Sequence, residues 1–132
     1  MTAIHRPSDP VGELTLQTLA MPADTNPHGD IFGGWLLSQM DLAGAVLARR
    51  LSKGRVATVA ISEMAFLRPV PVGALVSCYT SLLETGHTSM RINIEVWINN
   101  DASDESAKVT EGDFVYVAIS DDGKTRPLSA KS

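Results

Sequence analysis

The sequence predicts an α+β domain in which an antiparallel sheet of five or six strands wraps around one long central helix. An apolar run with helical spacing covers residues 31–51, and the segments that flank it have the length and apolar content of β-strands. Because the strand-like segments after the helix follow one another without a second helix, a parallel nucleotide-binding sheet is not expected. The 132 residues, 44% of them hydrophobic, suffice for one domain with its own core.

Turn residues and apolar spacing set the boundaries of the first three elements. A strand is predicted over residues 13–20, and the helix is predicted to end where Ser52-Lys-Gly54 supplies a glycine cap. The next extended segment covers residues 55–67. Its apolar phase changes near Ser62 and Glu63, which indicates a bulge at that point.

Three further strands are predicted after a proline-containing bend. They cover residues 74–84, 90–98 and 108–120, and the middle one alternates most clearly, with one apolar face and one mostly polar face. The polar residues 99–107 are a predicted loop. We expect residues 1–12 to be a flexible lead-in, residues 13–128 the single folded domain and residues 129–132 a tail.

Composition excludes several classes of function. The net charge of −4 and the absence of a run of basic residues argue against nucleic-acid binding, which depends on neutralising phosphates. Cys78 is the only cysteine, so an intrachain disulfide is impossible, and we expect this residue to be buried in the sheet. With neither an apolar leader nor an apolar stretch of about 18 residues, a soluble, cytoplasmic protein with no membrane partner is expected.

Asp41 needs an explanation because it is a carboxylate inside the apolar helix. Its neighbours on adjacent turns are mostly small, so they either pack against the sheet or let a ligand approach. Asp41 lies about 13 to 15 Å along the axis from the predicted helix start, too far for both to act on one carbonyl. If two helices pack antiparallel about a two-fold axis, Asp41 of one chain can approach the helix start of the other chain. A functional Asp41 therefore predicts an obligatory dimer.

The residues around the helix start resemble a known family. They read Met21-Pro-Ala-Asp-Thr-Asn-Pro-His-Gly-Asp-Ile-Phe-Gly-Gly-Trp-Leu-Leu-Ser-Gln-Met-Asp41 and are similar to the YciA-type acyl-CoA thioesterases of the hotdog-fold superfamily. Other similar segments are Gly54-Arg-Val-Ala-Thr-Val-Ala60, Phe66-Leu-Arg-Pro-Val70, Thr88-Ser89, Ile92-Asn-Ile-Glu-Val-Trp97 and Phe114-Val-Tyr-Val-Ala118. Together they extend the resemblance over residues 13–128.

This resemblance implies a hotdog fold and the hydrolysis of acyl-CoA to free CoA and a carboxylic acid, without a metal or cofactor. It places the family's catalytic asparagine on Asn26 and its catalytic aspartate on Asp41, contributed by different subunits. It also implies a homodimer. Because many members form trimers of dimers, a homohexamer is expected.

Several chemical roles follow for these residues. Asp41 would act as a general base on water or attack the thioester to give an anhydride. Asn26 would orient the water or the substrate carbonyl, although an asparagine before proline is also a common turn former. Backbone N–H groups at the helix start would hold the oxyanion, and Asp30 is also the expected N-cap. These N–H groups belong to Gly29, Asp30, Ile31, Phe32 and Gly33.

The candidate CoA contacts are Arg55 and Arg68, which are basic and adjoin strands, with Thr88 and Ser89 in the turn before the fourth strand. Each has an ordinary structural alternative, a solvated arginine or a turn residue. An acyl pocket would be lined by large apolar residues, which could equally belong to the core. They are Trp35, Met40, Met64 and Phe66.

Two other functions compete with hydrolysis. The residues from Asp24 to Asp30 are similar to the D-x-N-P-x-H-x-D signature of hotdog enoyl-CoA hydratases, but His28 comes one residue too early. The hydratase pattern also leaves Asp41 unexplained. The second alternative is a module that binds acyl-CoA without turnover.

Overall fold

The computed structural model describes residues 9–99 and 106–128, and it contains one long helix and five strands in these ranges. In chain order the elements are β1 (Glu13–Leu19), a 3-10 turn (Pro22–Asp24), α1 (Gly33–Ser52), β2 (Val56–Ile61), β3 (Leu75–Thr85), β4 (Ser89–Asn99) and β5 (Ser106–Ala118). The predicted lead-in (1–12), tail (129–132) and loop (99–107) lie largely outside the described residues.

The five strands form one antiparallel sheet in the order β1-β3-β4-β5-β2, and α1 packs against every one of them. The β4 side chains that alternate toward the helix are fully buried, among them Ile92, Ile94 and Val96. Cys78 on β3 is also buried, as predicted. The α+β architecture is therefore confirmed, with β1 and β2 as the two edge strands.

The extended segment after the helix is shorter than predicted, and its bulge lies elsewhere. The register between β2 and β5 shifts between Thr58 and Ala60, whereas the predicted position was Ser62 and Glu63. Beyond β2 the chain stays beside β5 through widely spaced bonds, such as Leu67 N to Val109 O at 2.7 Å. Between these bonds the Met64 side chain packs over Gly112. A Cβ added at Gly112 would lie 2.7 Å from Met64 Cγ.

The face of β4 that points away from the helix is partly buried, although its sequence predicts a mostly polar face. Glu95 and Trp97 are each only 5% exposed, and the Trp97 indole N–H donates to Glu95 Oε1 at 2.8 Å. The backbone N–H of Val11 donates to the same oxygen at 3.3 Å. Residues before β1 thus help to cover this face of the sheet.

One face of α1 remains uncovered by the sheet. Leu42 and Val46, one turn apart, are 54% and 49% exposed. This is the outcome expected for a helix that is apolar on nearly all sides while a single sheet covers one of them. Among the described residues, no helix has the length and apolar character needed to cross a bilayer.

Candidate active site

Asp41 is held by two hydroxyl groups that the sheet directs at the helix. Thr58 on β2 donates to Asp41 Oδ1 at 2.6 Å, and Tyr116 on β5 lies 3.1 Å from the same oxygen. The Tyr116 hydroxyl also lies 2.9 Å from the backbone carbonyl oxygen of Asp41. The half-buried carboxylate therefore has neutral hydrogen-bond donors as its partners, which stabilise its charge.

Tyr116 reaches the helix only because residue 44 has no side chain. The tyrosine is fully buried, and a Cβ at Gly44 would lie 2.1 Å from its hydroxyl oxygen. Burial first, and then the negative charge of Asp41, raise the pKa of Tyr116 well above its ordinary value. The phenol is consequently neutral at physiological pH and acts as a donor to the carboxylate.

The Asn26 side chain closes the turn before the helix through its oxygen. Its Oδ1 accepts the backbone N–H of His28 at 2.9 Å and that of Asp30 at 3.1 Å, which closes the turn before the helix. With Oδ1 engaged in this way, the amide nitrogen Nδ2 is the part of the side chain that can donate to a substrate. Asn26 lines a cavity of about 240 Å³ together with Arg68, Phe66 and the helix start.

The structure narrows the predicted set of oxyanion donors. Four of the five predicted N–H groups already have acceptors within the protein: Gly29 N bonds Asn26 O, Asp30 N bonds Asn26 Oδ1, Ile31 N bonds Val70 O and Phe32 N bonds Asp24 O. The N–H groups at the start of α1 that can point outward are those of Gly33 and Gly34. Gly34 was not in the predicted set.

The predicted N-cap is wrong. The helix begins at Gly33, and its N-cap is Phe32, whose side chain makes no capping hydrogen bond. Asp30 instead forms an antiparallel bridge with Pro71, because the turn closed by Asn26 holds residues 26–30 outside the helix. Since the first turn of α1 has no acidic residue, its positive dipole end stays available to an anion.

Within one chain the two groups of candidate residues are separate. Asp41 lies eight positions after Gly33, which is about 12 Å along the helix axis. The cavity at Asn26 includes Asp30, Ile31 and Gly33, but Asp41 is not among its lining residues.

An apolar cavity of about 390 Å³ adjoins the helix start. Gly33, Gly34 and Leu37 of α1 line one side, and Ile61, Ser62, Met64 and Phe66 line the other. Of the four apolar residues considered for an acyl pocket, Met64 and Phe66 line this cavity, whereas Met40 is fully buried in the core and Trp35 packs against it.

The predicted CoA contacts lie in three places. Arg68 lines the Asn26 cavity, and its Nε donates to Lys108 O at 3.1 Å. Arg55 is exposed and bonds Asp121 O at 3.2 Å, away from that cavity. Thr88 accepts a backbone bond from Ala118, and Ser89 lines a separate cavity of about 380 Å³ at the β3–β4 turn.

Sequence reasoning missed Thr58 and Tyr116, the two partners of Asp41. Tyr116 carried only a weak signal, because apolar residues occupy both faces of this strand, and only the structure shows that Phe114, Tyr116 and Ala118 form the buried face. A buried tyrosine then needs a polar partner for its hydroxyl. Gly44 lies three residues after Asp41 on the same helix face, and its lack of a side chain leaves room for a group from the sheet. No comparable signal identifies Thr58 among the threonines of the chain.

Comparisons with known proteins agree with this fold. Residues 28–104 match the thioesterase superfamily. The acyl-CoA thioester hydrolase YciA of Salmonella typhimurium is 57% identical over 122 residues, which cover 90% of this chain and 92% of that protein. A hexameric thioesterase from Yersinia pestis has a TM-score of 0.88 and 52% identity, covering 92% of this chain and 99% of that one. A hexameric hotdog-fold thioesterase of Campylobacter jejuni has a TM-score of 0.84 and 43% identity, covering 89% of this chain and 91% of that one.

Proposed function

The chain belongs to the thioesterase superfamily and, within it, to the YciA-type acyl-CoA thioester hydrolases, and on this premise we propose how its residues hydrolyse an acyl-CoA. The products are free CoA and a carboxylic acid. The observation that carries the proposal is the pair of donors, Thr58 and Tyr116, on one oxygen of Asp41. A carboxylate held in place by two hydrogen bonds is suited to catalysis, because reacting groups need a fixed geometry.

Asp41 is the proposed catalytic carboxylate. With Oδ1 held by two donors, Oδ2 takes a proton from water as the water oxygen bonds to the thioester carbon. The C–S bond then breaks, and the CoA thiolate leaves and takes up a proton. In the alternative route Oδ2 itself bonds to the carbonyl carbon, thiolate leaves, and water hydrolyses the resulting anhydride.

The carbonyl oxygen of the thioester is proposed to lie at the helix start. Asn26 Nδ2 and the N–H groups of Gly33 and Gly34 are the donors there, and the helix dipole adds positive potential. The apolar cavity beside Gly33 and Phe66 has the character needed for an acyl chain. Arg68 is the proposed phosphate contact nearest to this group, with Arg55, Thr88 and Ser89 as more distant candidates.

Because Asp41 and the helix start lie about 12 Å apart in one chain, the proposed site is completed by a second chain. The exposed Leu42 and Val46 and the open edge of β2 supply an apolar surface for such a partner. We propose a homodimer with two composite sites. The hexameric relatives from Yersinia pestis and Campylobacter jejuni support a further assembly into a homohexamer.

The test is to follow thiol release from butyryl-CoA and longer acyl-CoAs. Cys78, the only cysteine of the chain, adds little background to a thiol reagent because burial raises its pKa to about 12. Release that rises with enzyme concentration and is lost in Asp41→Asn supports the proposal. Saturable binding of acyl-CoA without release at any chain length would favour a binding module instead.

A further inference from the structure

We infer that Tyr116 is a positioning residue for the hydrolysis proposed above, and that Gly44 makes this role possible by admitting the tyrosine hydroxyl between the helix and the sheet. The inference rests on the proposed function of Asp41. It assigns to the second half of β5 a task beyond core packing.

The first argument is that one hydroxyl contacts two parts of the same residue. Tyr116 Oη lies 2.9 Å from the backbone carbonyl oxygen of Asp41 and 3.1 Å from its Oδ1. The helix fixes the carbonyl, so a hydroxyl shared with it also fixes where Oδ1 can lie. The side-chain torsions of Asp41 are thereby restricted to a rotamer that keeps Oδ1 on the sheet side.

The second argument concerns which oxygen is left for chemistry. Thr58 approaches the same Oδ1 from β2 at 2.6 Å. Two donors from two strands on one oxygen distinguish the two oxygens of the carboxylate, since Oδ2 makes no hydrogen bond among the described residues. A base that must meet water at a fixed angle gains from such an arrangement, because small misplacements of reacting groups reduce rates strongly.

The third argument is that Tyr116 is rigid and remains protonated. Its ring is fully buried, with the Phe114 ring 6.4 Å away between centroids and nearly parallel to it. Burial and the charge of Asp41 both raise its pKa, so it donates a proton rather than competing for one. The hydroxyl also fills the space next to Gly44, since a Cβ at Gly44 would overlap it.

The test is the variant Tyr116→Phe, which keeps the ring and removes the hydroxyl. We expect kcat to fall about ten- to a hundredfold while KM changes less than about twofold, because substrate contacts are intact and only the base is misplaced. Tyr79→Phe on β3 is the matched control, since it removes a strand hydroxyl from the half-buried residue 79 and leaves the site untouched. It should retain wild-type kinetics.

A double-mutant cycle shows whether Tyr116 acts through Asp41. In the Asp41→Ala background Tyr116→Phe should cause no further loss of the residual activity, since no carboxylate remains to be positioned. Equal losses in both backgrounds, or a kcat of Tyr116→Phe within about twofold of wild type, would overturn the inference. If wild type releases thiol and Asp41→Ala alone lowers that rate by about a hundredfold or more, the proposed function stands in either case.

Gly44→Ala supplies an independent approach if Tyr116→Phe fails to fold. The added methyl group displaces the hydroxyl while the tyrosine remains, so the same selective fall in kcat is expected. An alanine variant that folds, as judged by circular dichroism, and keeps the wild-type kcat would contradict the inference.

Discussion

The two halves of the proposed site are built by different means. Asp41 is placed by side chains, through the hydroxyl groups of Thr58 and Tyr116 from two strands. The helix start is placed by the backbone, through the turn closed on Asn26 and the bond from Ile31 N to Val70 O. Side-chain contacts can be removed singly without disturbing the chain path, whereas a change in the turn affects both its shape and its donors. Substitutions in the two halves should therefore differ in their effect on stability.

The largest effect is expected from Asp41→Ala. Loss of a general base lowers kcat about 10²- to 10⁴-fold, and KM should change little. Thermal stability should fall only slightly, because Thr58 is exposed to water and the buried Tyr116 hydroxyl keeps the backbone carbonyl of residue 41 as its acceptor. Thiol release and a thermal melt measure the two quantities. A variant that retains more than about a tenth of wild-type kcat would contradict the assignment of Asp41 as the base.

A pair of substitutions at Asn26 separates its two functions. Asn26→Asp keeps an oxygen for the N–H groups of His28 and Asp30 but loses the Nδ2 donor, whereas Asn26→Ala loses both. Both should lower kcat about 10²- to 10³-fold, the range measured for a single oxyanion donor.

Only Asn26→Ala should also lower the melting temperature clearly, since it leaves turn N–H groups without their acceptor. Equal melting temperatures for the two variants would mean that the Asn26 side chain does not maintain the turn. Full activity in Asn26→Asp would mean that Nδ2 does not contact the substrate.

Mixing the two kinds of inactive chain tests whether the halves come from different subunits. When Asn26→Ala and Asp41→Ala proteins exchange subunits at equal amounts, about half of the dimers are mixed, and each mixed dimer has one intact site. About a quarter of wild-type activity should then return. Mass spectrometry of isotopically labelled chains confirms that exchange has taken place. No recovery after confirmed exchange would rule out composite sites.

The smallest effect is expected from His28→Ala. The His28 side chain is exposed, and the turn uses only its backbone N–H. Thiol release should stay within about twofold of wild type, since a surface substitution away from the donors leaves both halves intact. Complete loss of activity would favour the hydratase alternative, in which this imidazole activates water.

The same difference between the two halves determines which residues could be predicted from the sequence. Asp41 was singled out as a charge in an apolar helix and Asn26 by the family resemblance, and their catalytic roles stay predictions. The helix and the strands followed from periodicity. The partners of Asp41 did not, because Thr58 and Tyr116 lie 17 and 75 positions away and meet it only through sheet register. The cap was assigned to Asp30 since residue type favours it, but the bonds of Asn26 and Val70 hold that residue outside the helix. Tertiary bonds here override local propensity.

Gly44 limits how far this protein can be stabilised. A glycine in the middle of a helix costs about 0.5 to 1 kcal/mol relative to alanine, so replacing helix glycines is a common route to higher thermal tolerance. At position 44 that route is closed, because the methyl group would take the place of the Tyr116 hydroxyl. Gly44 therefore lowers the stability of the helix but leaves room for the hydroxyl that contacts Asp41. Higher heat tolerance in this enzyme has to come from other parts of the fold.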